Sequence, residues 1–254
     1  MAKLITPEIF QKNTAEDYLK AAIDTAEWID TLAIKTEYGR IWQALPEGQD
    51  GYREDVPLFT PKSMYDGSAG IGIFFIRLYE ATGDTRWLTE AEEAAAHIIA
   101  TKVGVEWYQT TLHSEVKGII PVPGWAAGPY NGPVGEAYFL EDLYQVTGKQ
   151  AYRDYVLYVA DVLLEATVTD KRGLHWSDQE DITADGGFIV FLDILYRKTG
   201  IKKYLELAKE GLTYAMNIAV GDETGRLIPY QDHPVTGPTY DKYYLSTCHG
   251  PVGS

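Results

Sequence analysis

The sequence predicts an all-α protein of the α/α-toroid class, a ring of repeated helical hairpins. Three observations predict it: a glycine and aromatic pattern that recurs in fixed register, short runs that are apolar nearly all round, and amphipathic stretches of helical period after each run. The 254 residues, 45% apolar and 23% charged, form a globular composition with no low-complexity tract, and Pro and Gly are spread too evenly to mark a boundary. Residues 1–254 therefore read as one toroid domain.

Residues 14–34 open the order of elements as an amphipathic helix with Tyr18, Ala22, Ala26 and Ile29 on one face. A mark of the form Gly-x-x-Trp follows at Gly39 and returns at Gly104 and Gly173, with a weaker copy at Gly225 ending on Ile228. Next comes a glycine pair, Gly67 and Gly70, that launches an apolar run ending Leu78-Tyr79-x-x-Thr82-Gly83. The same order recurs from Gly132 and Gly135 to Leu143-Tyr144-x-x-Thr147-Gly148, and from Ala184 and Gly187 to Leu195-Tyr196-x-x-Thr199-Gly200. These runs predict inner helices, since Arg77, Asp142 and Asp193 sit where strict two-residue alternation would not put them. Glycine just past each end suits a left-handed cap. The stretches after them predict outer helices: Leu88, Ala91, Ala95, Ile98 and Ile99 on one face opposite Glu90, Glu92 and Glu93, then Tyr204, Ala208, Leu212 and Ala215 on another.

Hairpins repeating every 50 to 65 residues stack face on face into a toroid. The glycine turns should then share one rim, where chemistry would gather. A fourth unit reaches Gly250-Pro-Val-Gly253 and stops at Ser254 without a helix, which predicts a chain truncated at its C-terminus, with end units exposing apolar faces.

The counts of 22 basic and 37 acidic residues leave a net charge of −15, which disfavours nucleic acid and anionic membranes as partners. Cys248, the single cysteine, can form no disulfide within the chain. No stretch approaches the roughly 18 apolar residues of a membrane span, and the start has no basic segment leading an apolar core. A soluble, cytoplasmic protein is expected.

The four loops read Met64-Tyr-Asp-Gly-Ser-Ala-Gly, Gly128-Pro-Tyr-Asn-Gly-Pro-Val-Gly, Asp181-Ile-Thr-Ala-Asp-Gly-Gly and Ser246-Thr-Cys-His-Gly-Pro-Val-Gly. Together with Trp176-Ser-Asp-x-x-Asp-Ile and the Leu-Tyr-x-x-Thr-Gly linkers, the chain resembles the lanthionine synthetase C-like family over about residues 14–254. The resemblance implies a seven-hairpin toroid, of which about three and a half units are present. It also implies a zinc-dependent cyclase that adds a peptide cysteine thiolate to a dehydroamino acid, forming a thioether. The partner is then a peptide bearing dehydroamino acids, with a separate dehydratase supplying it. Zinc would lower the thiol's pKa, and a nearby acid would protonate the enolate.

Under that resemblance Cys248 and His249 are either the family's adjacent zinc ligands or, with His249 alone catalytic, its earlier His-Gly-x-x-Gly acid/base motif. Counting units favours the second, and a capping histidine is the bland alternative. One cysteine cannot complete a three-ligand zinc site within this chain.

Asp178, Glu180, Asp181 and Asp185 form the densest acidic cluster. Capping of the third inner helix accounts for it plainly. The sharper reading is general acid/base work, because sugar-processing α/α barrels carry carboxylates at the mouth. In that alternative, a glycoside hydrolase or sugar epimerase, Asp66 and Asp185 would contact substrate. A non-catalytic scaffold is the third reading. His97, His113, His175 and His233 show no metal-ligand spacing and are expected to be ordinary helix or loop residues.

Overall fold

A computed structural model describes residues 13–42, 62–113, 123–229, 243–248 and 250. In chain order the elements are α1 (Ala15–Thr31), β1 (Ile34–Lys35), β2 (Arg40–Ile41), α2 (Ser68–Thr82), α3 (Thr85–Ala100), α4 (Val105–His113), α5 (Pro123–Ala127), α6 (Pro133–Thr147) and α7 (Gln150–Glu165). The third unit follows with β3 (Val168–Asp170), β4 (Gly173–His175), α8 (Asp185–Thr199), α9 (Lys202–Ile218), β5 (Val220–Asp222) and β6 (Gly225–Leu227). Helix α2 packs on α3, α6 on α7 and α8 on α9, which are the hairpins the repeat predicts. Among the described residues no helix is long and apolar enough to cross a membrane.

Each motif of the repeat has a physical job. At the end of every inner helix the threonine hydroxyl donates to the leucine carbonyl four residues back, at 2.7 Å from Thr82 to Leu78, Thr147 to Leu143 and Thr199 to Leu195. The glycine after it turns left-handed, with φ of 71°, 68° and 71° at Gly83, Gly148 and Gly200, and its N–H donates to the tyrosine carbonyl. The threonine oxygen then accepts the N–H two residues on, from Asp84, Lys149 or Ile201. Two hydroxyl bonds and one left-handed residue therefore fix the turn into the outer helix. The next aromatic, Trp87, Tyr152 or Tyr204, is buried there.

The second glycine of each pair works differently. A Cβ on Gly70, Gly135 or Gly187 would stand 2.2, 2.1 or 2.3 Å from the carbonyl oxygen of Met64, Pro129 or Ile182. The first glycine can lie as close: a Cβ on Gly132 would stand 2.0 Å from the Ala126 carbonyl oxygen and one on Gly250 2.3 Å from that of Tyr244. The first turn of each inner helix thus lies directly on the loop that leads into it. Close approach of backbone to backbone, rather than an unusual dihedral, demands glycine here.

The Gly-x-x-Trp mark corrects the purely helical expectation in one respect. At Gly39, Gly173 and Gly225 it closes two-stranded antiparallel ribbons, with Ile34 opposite Ile41, Val168 opposite His175 and Val220 opposite Leu227. At Gly104 it opens α4 instead, because Tyr108 and Leu112 share one helical face and bury it. The tryptophan is the pin: Trp42 Nε1–H donates to the Ile29 carbonyl at 2.9 Å and Trp176 Nε1–H to that of Leu163 at 2.7 Å, each thirteen residues upstream on an outer helix.

Three side chains depart from the face predicted for them. Leu212 is exposed, since the buried face of α9 runs through Tyr204, Leu207, Ala208, Gly211, Tyr214 and Ile218, about 100° away. Tyr18 is exposed on α1, where Ala26 is the buried residue. Glu90 is buried, because Arg40 on the first ribbon draws it inward. The Arg40 guanidinium meets Glu90, Asp30 and Glu93, each at 2.7 Å, and ties β2 to α1 and α3. Burial still raises the Glu90 pKa against that pull. Arg40→Met should therefore destabilise the fold by about 2 kcal/mol, less than a fully buried pair because Arg40 is partly solvated. Urea titration at low and at high salt tests this, and an unchanged midpoint contradicts the assignment. Trp28 on α1, Leu32 just past its end, and Leu212 and Met216 on α9 leave apolar surface at the two ends of the array, as stacked hairpins without outer neighbours should.

Candidate functional site

The glycine loops do meet on one rim. Tyr65 N–H donates to the Tyr130 carbonyl at 2.9 Å, joining the first loop to the second. A Cβ on Gly135 would also strike the Met64 side chain, and one on Gly187 the ring of Pro129. Each loop therefore rests on the next unit's glycine. Cys248 on the fourth loop is close enough to Asp181 on the third for that carboxylate to help raise its thiol pKa, second to burial.

The third loop is the most heavily cross-linked. Asp185, the first residue of α8, is 1% exposed, and its carboxylate accepts the Trp176 N–H at 2.9 Å, the Ser177 N–H at 3.0 Å and the Ser177 hydroxyl at 2.6 Å. In the first unit the equivalent position is Ser68, whose hydroxyl accepts the Trp42 N–H at 3.2 Å. A neutral residue does this job there, so the carboxylate is more than the joint needs. Burial pushes the Asp185 pKa up to about 7 in spite of its donors. Glu180 is also buried, and its Oε2 has no hydrogen-bond partner. Burial first, then the neighbouring Asp185 and Asp181, raises its pKa well above the usual glutamate value. Asp181 accepts from Gln179 and from both the N–H and the hydroxyl of Thr183. Asp178 lies apart, 3.0 Å from Arg172.

Two hollows adjoin these loops. The first, about 290 Å³, is lined by Met64, Ile73, Pro129, Tyr130, Tyr138, Asp142, Ile182 and Gly187, so the outer surface of the acidic loop forms one wall. Tyr138 and Asp142 stand one turn apart on α6 and supply polar groups to a mostly apolar chamber. Tyr138 packs edge-on against Phe191, with centroids 5.5 Å apart. Asp142 pairs with Arg77, yet burial outweighs Arg77 and Lys198 and raises its pKa. The second hollow, about 490 Å³ and wider, lies between α1 and α2, with Tyr65, Asp66, Gly70 and Phe74 among its walls. Asp66 is held by the Ser63 hydroxyl.

The sequence-predicted residues are thus separated. Asp66 lines the wider hollow, whereas Asp185 is sealed inside the third loop and lines neither. Cys248 is exposed, and His249 lies outside the described residues, as does His233. Among the described residues no group of three His, Cys, Asp or Glu is placed to hold a metal ion, so they do not fit a zinc centre. His97 contacts the Thr36 hydroxyl and His175 stacks on Tyr214 at 4.4 Å, both within the packing of the hairpins. The sequence motifs do not single out Tyr130, Tyr138 or Asp142. Tyr138 and Asp142 share α6 with Glu136, Glu141 and Gln145, so no local signal sets them apart.

No family model matches the chain, and no curated protein matches it. Solved structures do. An inactive variant of the α-1,6-mannanase GH76A of Salegentibacter sp. HEL1_6, with two consecutive aspartates replaced by alanine and α-1,6-mannotetrose bound, is similar with a TM-score of 0.54 at 15% identity. That match covers 85% of this chain and 57% of the mannanase. Cellobiose 2-epimerase from Bacillus thermoamylovorans B4167 is similar with a TM-score of 0.53 at 13% identity over 88% of this chain and 60% of the epimerase. A D-mannose isomerase follows with 0.50 at 14% identity over 83% of this chain and 57% of the isomerase. The chain has the α/α-toroid fold of these sugar enzymes.

It spans less than two thirds of the length of each. Identities this low establish the fold alone, and the fold is shared with enzymes. The lanthionine synthetase resemblance is corrected by these matches, which are to carbohydrate-active toroids with no such synthetase among them. The thioether-forming activity is corrected with it. Glycine pairs and Leu-Tyr-x-x-Thr-Gly linkers carry that resemblance, and in the structure they serve turns and close helix starts, which any toroid of this geometry requires. Zinc, the peptide partner and the dehydratase rest on the resemblance alone.

Proposed function

We propose that this is a carbohydrate-active protein that binds a sugar ring in the 290 Å³ chamber of the rim and transforms it by carboxyl-assisted proton transfer. The chamber itself carries the reading. Apolar walls suit the C–H faces of a pyranose, Tyr130 and Tyr138 offer ring faces and hydroxyls, and Asp142 offers a carboxyl whose pKa burial raises. Such a carboxyl keeps its proton to higher pH than a solvated aspartate does, which suits it to proton exchange with a bound sugar. Asp185 acts behind the wall: its bonds to Trp176 and Ser177 hold the third loop in place and so position Ile182 and Gly187. The sugar enzymes that share the fold support the substrate class by analogy.

The test is turnover of mannose, α-1,6-linked mannooligosaccharides and cellobiose, scored for released reducing ends and for isomerised or epimerised product. Asp142→Asn is expected to lower kcat by about 100-fold or more while the sugar still binds. Absence of binding and turnover across the panel, or full activity in Asp142→Asn, would overturn the proposal.

A further inference from the structure

We infer that the rim carries two contiguous sugar subsites and that the substrate is an oligosaccharide spanning them; this rests on the carbohydrate reading above. The 290 Å³ chamber and the 490 Å³ groove share Met64, which lines both and stands between them. Across that divide Tyr65 and Tyr130 meet edge to face, with centroids 6.3 Å apart, one lining each hollow. The backbone bond from Tyr65 to Tyr130 holds the two loops in register. Met64 and the Tyr65–Tyr130 pair therefore mark the boundary that a ligand bridging the two hollows would span.

The two hollows have the same chemistry. Each is mostly apolar with aromatic side chains and one carboxylate, Asp142 in the chamber and Asp66 in the groove. Carboxylates accept hydrogen bonds from paired hydroxyls, and aromatic faces take the C–H side of a pyranose, so both would hold a neutral glycosyl unit. The chamber lies near the lower limit of ligand pockets, about 300 Å³, and suits one ring. The wider groove opens to solvent on its outer side, where Tyr65 is 76% exposed, so further units can extend outward. Asp66, read from the sequence as a substrate contact, then belongs to the outer unit, and Tyr138 with Asp142 to the inner one.

Calorimetry with mannose, α-1,6-mannobiose and α-1,6-mannotriose on the whole chain tests the arrangement. Affinity should rise about tenfold or more from mannose to mannobiose, one added subsite at about 1.4 kcal/mol. Asp66→Ala should remove most of that gain and leave mannose binding unchanged. Tyr138→Phe should weaken all three ligands alike. Tyr65→Ala, an exposed side chain outside the core, repeats the Asp66 test should Asp66→Ala fail to fold. Equal affinity for all lengths, or an Asp66→Ala or Tyr65→Ala loss as large for mannose as for mannobiose, overturns the two-subsite inference while leaving the carbohydrate proposal standing. No binding of any of the three, with turnover of no sugar, overturns both.

Discussion

Gly135→Ala is expected to destabilise the protein by about 3 kcal/mol or more, the upper range for overpacking, and to lower Tm by about 6–12 °C. The added methyl would lie 2.1 Å from the Pro129 carbonyl oxygen and 2.8 Å from the Met64 Cβ. Neither obstacle is the free end of a side chain. The Pro129 carbonyl is main chain of the second loop, and Met64 belongs to the first, so relief requires both loops to move away from α6. The same displacement would open the chamber, since Met64 and Pro129 are two of its walls. Sugar affinity should therefore fall together with stability. Gly104→Ala is the control: nothing lies within 4 Å of the place its methyl would take, and a change within about 0.5 kcal/mol is expected. Thermal melts of the two variants decide it, and equal melting temperatures would remove the close-approach account of the glycine pairs.

Much of this architecture was legible in the sequence because it is repeated. Three occurrences of one register let Gly83, Gly148 and Gly200 be read as caps, and the structure gives all three the same left-handed turn. The rim was legible too, since helices launched by equivalent glycines must start on the same side. What could not be read was the inside of each unit. The helical period of α9 admits Leu212 as readily as Leu207 until the neighbouring helix is in place, and Glu90 turns inward for an arginine fifty residues away. The ribbons were hidden because two- or three-residue strands carry no periodicity.

The site was less legible than the fold for a related reason. Asp66 and Asp185 occupy similar places in the pattern, each beside its glycines, yet one lines a groove and the other is enclosed by Trp176 and Ser177. Pattern fixes where a residue sits along the chain, while burial is decided by what folds over it. The chamber draws on three units, through Ile73, Tyr138 and Gly187, and no local motif contains such a set.

Asp185 yields the other large effect, and its sign depends on the replacement. Asp185→Ala leaves the buried Trp176 and Ser177 N–H groups without this acceptor, while the Ser177 hydroxyl keeps the Gln179 carbonyl at 3.4 Å, and at about 1–3 kcal/mol for each of the two stranded donors a total loss of about 2–6 kcal/mol is expected. Asparagine behaves otherwise. Its carbonyl oxygen can take both backbone donors, and its amide can donate to the Ser177 hydroxyl once that rotates. Asp185→Asn should fold. It should also change the pH profile, because the folded-state pKa of Asp185 is raised from 3.8 to about 7. A raised pKa means that folding favours the protonated form, so this contribution is complete below about pH 4 and is lost as pH rises towards 7. Protein with Asp185 should therefore lose stability between about pH 4 and 7, and Glu180, raised in the same direction, adds to that slope. In Asp185→Asn the slope should be shallower, by up to about 1.4 kcal/mol for each pH unit across that window. Urea midpoints at about pH 4.5 and 7.5, on either side of most of that window, measure it. Parallel slopes in the two proteins would show that Asp185 folds as an ordinary ionised cap, and the pH dependence would then have to come from Glu180.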